Sequence, residues 1–310
     1  MKSVIVIGEV CEDIIMHDPA TVEVMGTKIW ARDIVSTIGG SASIAATALA
    51  HLGENTKLYS SIGKDPQGQM LYDRIRQFGV DCSSLLAIEG KRTTRSMIIC
   101  HGSKKQFLGC SPMLPIRMPG MDSLDDTKFI HIAGFMLYPE LWTEEAFAYY
   151  EEANRRGIPI AVDGQCLDAE GVDPFKVAPM ERMLGLSDVF FAAKKEVRQF
   201  AGSDNDMEVG KKLLSLGTKN IVLKHGPDGC MVFEQNGQIH TIEGYKVEAY
   251  DTVGSGDLFG ASFAYGMMSG LKAAECARFA SVFTALSLVE YEEYKNYPVK
   301  EEVMKLITHY

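Results

Sequence analysis

Short runs of β-branched and aliphatic residues recur along the chain at Val4–Gly8, Lys57–Ile62, Lys128–Ile132, Ile158–Val162, Val189–Phe191 and Ile221–Leu223. Between them lie stretches with apolar residues at helical spacing: Ala42–Leu52, Gly68–Phe78, Pro139–Arg156 and Asp206–Leu216. This alternation predicts right-handed βαβ crossovers and an α/β fold, a mostly parallel sheet with helices on both faces. Ligands of such sheets sit beyond the carboxyl ends of the strands. Two segments break the rhythm, because Thr21–Ile38 and Thr93–Cys110 read as short alternating strands. Inserted strands have edges that need covering, so we read them as a small β-strand lid at about residues 20–38 and 93–110. The lid belongs to a single 1–310 domain and offers an edge for a second copy of the chain. No internal repeat or long linker divides the sequence.

Composition agrees with a globular α/β chain: 310 residues, 46% hydrophobic and 23% charged. The longest apolar stretches are strand-sized, and Met1-Lys2-Ser3 leads straight into a strand. Neither a transmembrane helix nor a signal peptide is expected, which points to the cytoplasm and away from a membrane partner. Seven cysteines are scattered and never spaced C-x-x-C, so reduced, mostly buried thiols are expected and a structural metal is not. A net charge of −10 with no basic cluster longer than a pair argues against nucleic acid. A small phosphate ester still fits a locally positive pocket.

The most informative chemistry lies at Asp251-Thr252-Val253-Gly254-Ser255-Gly256-Asp257, between a strand-like run (Tyr245–Tyr250) and an apolar helical run (Leu258–Met268). A Gly-x-Gly turn opening a helix leaves backbone N–H groups unpaired and aimed outward, which favours an anion. Gly254 and Gly256 allow close backbone approach, and Asp257 sets a carboxylate beside the same pocket as a candidate base. Taken alone, the seven residues also fit a plain glycine turn with Asp257 as an ordinary first-turn residue.

The segment resembles the Asp-Thr-x-Gly-x-Gly-Asp signature of the ribokinase-like (PfkB) carbohydrate kinases, and other pieces of that family's pattern recur in its order. Gly39-Gly40-Ser41-Ala42-Ser43-Ile44 opens an alanine-rich run ending at Gly53, Gly63-Lys64-Asp65-Pro66-Gln67-Gly68 resembles Gly-x-Asp-x-x-Gly, and Asp13 follows Gly8 by five residues. The likeness spans about residues 4 to 290. It implies an ATP-dependent kinase acting on a monosaccharide or sugar acid, with Mg²⁺, and a dimer formed through the lid.

The resemblance assigns Asp257 as base and the Gly254, Ser255 and Gly256 turn as the anion hole. It assigns the acceptor to Asp13, Gly39, Gly40, Ser43, Ile44 and Lys105. Lys224 at a strand end, Gly226, Gly229 and Thr252 fall on the nucleotide side, and Glu196 matches a glutamate associated with the magnesium hydration shell. Asp251, with the Val253 carbonyl, is the candidate for a monovalent cation such as K⁺, although Ala285–Tyr297 lacks the glycine that often closes that loop. Each residue has a plainer account: Asp13 as a cap, Lys224 and Glu196 as solvated charges, Lys105 as a solvent-facing lid charge.

The chain also departs from the family pattern. Ile44 stands where an asparagine usually touches the sugar, Cys11 and Gln165 where asparagine is common, and Ala193 where Asn-x-x-Glu begins. Each lost polar contact in a desolvated pocket alters selectivity by about 1–3 kcal/mol. The readings left open are therefore a sugar or sugar-acid kinase, a nucleoside kinase stacking a base near Ile44 and Cys11, and a binding homologue without turnover.

Overall fold

The apolar runs become strands of a nine-stranded sheet in a computed structural model that describes residues 2–19, 28, 30–101, 104–109, 113–165, 174–289 and 296–308. Strand β1 (Ser3–Gly8) shows why they pair at the centre. Its Val4 and Val6 enter one core and its Ile5 and Ile7 the other, so both faces are buried.

The remaining elements, in chain order, are β2 (Cys11–His17), β3 (Asp33–Gly39), α1 (Ser41–His51), β4 (Thr56–Gly63), α2 (Pro66–Gln77), β5 (Leu85–Ile88), β6 (Arg95–His101), β7 (Lys104–Gly109) and β8 (Thr127–Ala133). They continue with α3 (Glu144–Arg155), β9 (Ile160–Asp163), α4 (Pro174–Leu184), β10 (Val189–Ala193), α5 (Lys194–Ala201), α6 (Asp206–Leu214) and β11 (Asn220–Lys224). The last are β12 (Cys230–Glu234), β13 (Ile239–Ile242), α7 (Ser255–Met268), α8 (Ala273–Leu286) and α9 (Lys300–Ile307).

The large sheet runs β13-β12-β11-β10-β9-β8-β1-β4-β5. It is parallel from β11 to β5, with β12 and β13 added antiparallel at one edge. Residues of α1, α2, α7 and α8 pack one face, and residues of α3, α4 and α6 the other. This is the mostly parallel α/β sheet with helices on both faces expected from the alternation. Among the described residues no helix is long and apolar enough to cross a membrane.

A separate four-stranded sheet, β3-β2-β6-β7, contains the segments that broke the rhythm. Its first strand begins at Cys11, earlier than the pattern suggested, so Asp13 belongs to it. Residues 20–27, 29, 102, 103 and 110 of the two predicted segments lie outside the described residues. The inner face of this sheet brings Ile15, Ile98 and Cys100 against Val253, so the sheet folds directly over the glycine turn.

Two local expectations are corrected. Tyr245–Tyr250 forms no strand, because its backbone finds partners in α8 and the turn that follows it: Tyr245 N donates to Ser281 Oγ at 3.0 Å and Tyr250 N to the Leu288 carbonyl at 2.8 Å. The helical pattern from Pro139 is interrupted by a 3₁₀ turn (Pro139–Trp142), and α3 starts only after Thr143, whose hydroxyl accepts from Ala146 N at 3.2 Å.

Candidate active site

Gly254 caps α7 with φ +73, a left-handed conformation that side chains with a Cβ rarely adopt. The chain therefore reverses and places Ser255, Gly256 and Asp257 in the first helical turn, whose N–H groups lack intrahelical acceptors. Ser255 N donates to the Thr252 carbonyl at 3.3 Å. Gly256 and Asp257 then supply the N-terminal amides, and the Asp257 side chain is buried beside them. Asp251 braces the turn from the other side, accepting from Val253 N at 2.8 Å. Its second oxygen lies 3.8 Å from Nε2 of the buried His17 in β2.

Lys224 ends β11 and points its ammonium at the same turn. A Cβ added to Gly256 would stand 3.2 Å from Lys224 Nζ. The ammonium is held by Asp163 Oδ2, at the end of β9, at 2.6 Å. Burial alone would depress the lysine, but Asp163 and Glu196 outweigh it and raise its pKa. Glu196, in the first turn of α5, accepts from Ala193 N at 2.8 Å. Burial raises its carboxyl, opposed by the Lys224 charge. Beneath this group the fully buried His131 is pushed down to about 4 by burial and is neutral at pH 7. Gly226 and Gly229 flank the turn that joins β11 to β12.

In β2, Asp13 presses its carboxylate against Gly39, where any Cβ would overlap it. The Cys11 thiol donates to Asp13 Oδ1 at 3.3 Å. Burial, then the Asp13 and Glu9 charges, push that thiol well above its ordinary range, so it stays protonated. Gly40 is the N-cap of α1. Ser43 is fully buried and donates to the carbonyls of Gly39 and Gly40, the latter at 2.8 Å, so it holds the turn's backbone. Ile44 is 2% exposed and packs in the core cluster of α1. From β7, Lys105 Nζ donates to the Thr252 carbonyl at 2.9 Å, tying the small sheet to the turn. Burial lowers the Lys105 pKa.

The Asp257 charge acts on Lys224, Lys105 and the Cys11 thiol alike. The structure thus brings Asp257, Lys224, Glu196, Asp13 and Lys105 around one turn, whereas Ser43 and Ile44 serve backbone and core. Two residues at the centre escaped attention as site residues: Ser41 Oγ donates to Gln165 Oε1 at 2.8 Å, and Gln165 Nε2 donates to Asp257 Oδ1 at 2.7 Å. The only signal for Gln165 was its place just after Asp163-Gly164. Among the described residues no cluster of three or more His, Cys, Asp or Glu could hold a metal ion.

The fold agrees with comparisons to known proteins. The sequence matches the profile of the pfkB family carbohydrate kinases over residues 1–298. It is 24% identical over 289 residues to the 5-dehydro-2-deoxygluconokinase of Clostridium tetani, covering 89% of this chain and 85% of that one. An E. coli protein described as a ribokinase II, solved with ATP and Mg²⁺, superposes with TM-score 0.81 at 19% identity over 100% of both chains. A Burkholderia thailandensis nucleoside kinase solved with inosine superposes with TM-score 0.75 at 19% identity, over 99% of this chain and 98% of that one. This chain belongs to the pfkB family of carbohydrate kinases, phosphotransferases that act on a sugar hydroxyl.

Proposed function

We propose that this kinase transfers the γ-phosphoryl group of ATP to a hydroxyl of a sugar acid or monosaccharide, with Asp257 as general base. The observation that carries the reading is the position of Asp257, buried in the first turn of α7, where its charge acts on the Lys224 ammonium and on the Cys11 thiol that is hydrogen-bonded to Asp13. The Gly256 and Asp257 amides and Lys224 receive the donor phosphates, where preorganised positive charge stabilises the transferring group. Asp13 accepts from hydroxyls of the acceptor. Asp257 takes the proton of the reacting hydroxyl, the acceptor's hydroxyl oxygen bonds to the γ-phosphorus, and the bond from that phosphorus to the β-phosphate oxygen breaks to release ADP.

Mg²⁺, when bound, neutralises charge on the donor phosphates. It keeps most of its water and takes few protein ligands, so the half-buried Glu196 fits that role, while the neighbouring Asp163 is held by the Lys224 ammonium. Asp251, engaged by Val253 N and facing His17, fits a brace for the turn better than a ligand for K⁺.

A sugar acid is favoured within this class. Lys105 brings a partly desolvated cation from the small sheet to the turn, and curated relatives are named for a sugar-acid substrate. A nucleoside needs an apolar shelf, but Ile44 lies in the core and Cys11 is bonded to Asp13. The small sheet serves as the lid. Its outer face exposes Ile34 at 60% and Leu108 at 41%, and the same face of a second copy is its natural cover. ATP consumption with 5-dehydro-2-deoxygluconate, ribose and inosine tests the reading. Highest kcat/KM with the sugar acid supports it, inosine as best acceptor replaces it, and no turnover with any of them refutes it. Light scattering of a monomer at micromolar concentration would refute the dimer.

A further inference from the structure

Gln165 stands out on its backbone. Its φ is +35, one of only two positive-φ non-glycine residues among those described. A residue with a side chain is strained there, and glycine would be relaxed. Backbone contacts hold the position: Gln165 N donates to Asp163 Oδ1 at 3.3 Å, the preceding Gly164 N donates to the Phe191 carbonyl at 3.1 Å, and the Gly164 carbonyl accepts from Met136 N at 2.9 Å. The strain therefore serves the side chain, whose amide reaches two partners. Asp257, as a carboxylate, only accepts, so the end facing its Oδ1 at 2.7 Å is the NH₂ group. The amide oxygen then faces Ser41, whose hydroxyl donates to it at 2.8 Å. Ser41 opens α1, Gln165 follows β9 and Asp257 opens α7. Three separate elements are thus joined by one chain of hydrogen bonds ending on the base.

We propose that Gln165 is the positioning residue for Asp257, and that Ser41 anchors the far end of its amide. The carboxylate admits only the orientation that presents NH₂ to it, and the Ser41 hydroxyl then pins the amide oxygen. The amide cannot take a proton at neutral pH, so it stabilises the ionised base and sets its rotation without competing for the acceptor's proton. Other described groups that feel the Asp257 charge include Lys224 from β11, Lys105 from β7, the Cys11 thiol from β2 and the Tyr297 hydroxyl. None of these reaches the base through Gln165. The inference rests on the reading of Asp257 as base.

The test uses Gln165→Gly, Ser41→Ala, their double variant and Asp257→Asn, assayed with the best acceptor of the panel above over pH 5 to 9. Gln165→Gly relieves the backbone, so its melting temperature stays at or above that of the parent. Its kcat/KM falls about 10- to 100-fold, and its acid limb moves up by about half to one pH unit, because a carboxylate that loses a donor holds its proton more tightly. Ser41→Ala changes both in the same direction by less, and adding it to Gln165→Gly costs nothing further. A Gln165→Gly enzyme with unchanged kcat/KM and acid limb overturns the proposal, as does a loss matched by a fall in melting temperature with the limb unmoved. Multiplying losses in the double variant overturn the Ser41 link. If Asp257→Asn itself keeps parental turnover, the base assignment fails first, and the two failures are thereby told apart.

Discussion

Replacing Lys224 with methionine keeps an unbranched stem and removes the charge that faces Gly256. The side chain of its partner Asp163 is 1% exposed and that of Lys224 is 15% exposed, so the mutation strands a carboxylate in the interior. Breaking a buried pair from one side costs about 3–5 kcal/mol. The ammonium still touches solvent, which places the loss near the lower end, about 3 kcal/mol. For a chain of this size that is a fall of roughly 6 °C in melting temperature. Because Lys224 has a raised pKa in the folded state, the pair's contribution is fully present below the ordinary lysine value of 10.5 and is lost as pH rises through the raised value. The gap between parent and Lys224→Met should hold steady from neutral pH to about 10 and close above it. Adding Asp163→Asn removes the stranded charge and should restore most of the melting temperature. It cannot restore an ammonium at the phosphate site, so turnover stays low. Scanning calorimetry with ATP-consumption kinetics on the two variants checks both halves. Parental melting of Lys224→Met, or regained turnover in the double variant, would refute the reasoning.

His131 tests the interior beneath the site. Its folded pKa of about 4 lies below the ordinary 6.5, so its stabilising contribution is present above pH 6.5 and disappears as pH falls toward 4. That is roughly 3 kcal/mol, and urea unfolding at pH 7, 6, 5 and 4 should show a clearly shallower decline in His131→Gln; parallel curves would count against it. Gly256→Ala places a methyl 3.2 Å from the flexible end of Lys224 and meets no other atom within 4 Å. It should melt within about 2 °C of the parent, since alanine suits a helix better than glycine, while kcat falls at least about tenfold because the phosphate approach is obstructed. Equal losses in melting and activity per folded molecule would mark Gly256 as structural.

The main strands and the glycine turn were legible because each depends on local signals: apolar runs for β1, β4, β8 and β11, and Gly-x-Gly before an apolar helix for α7; the order of strands in the sheet rests on long-range pairing and was not. Strand β2 was missed because Cys11–His17 carries Glu12, Asp13 and His17 among its apolar residues, and the burial of Glu12 and His17 depends on partners far along the chain. Arg95 Nε lies 2.9 Å from Glu12 Oε2, and Ser36 Oγ donates to Glu12 Oε1 at 2.7 Å, pairs that no local pattern reveals. Tyr245–Tyr250 has strand composition, yet α8 and the turn that follows it satisfy its backbone first. At the site, Lys224 was legible as a strand-end cation but not its bond to Asp163, 61 residues away. The Ser41–Gln165–Asp257 chain links residues 124 and 92 positions apart, and Gln165 read in sequence only as a lost asparagine. Ile44 carried the opposite error of emphasis, since position in the motif drew attention to a side chain that packs in the core.

The central claim is that Asp257 removes the acceptor's proton. Asp257→Asn preserves the shape of the side chain and the first turn of α7 while abolishing the base. Single-turnover kinetics of this variant, with ATP affinity measured by calorimetry, test the claim most directly. The account predicts an ATP affinity within a few-fold of the parent and a phosphoryl-transfer rate lower by roughly 10²–10⁴-fold. Transfer at a parental rate by Asp257→Asn would contradict it.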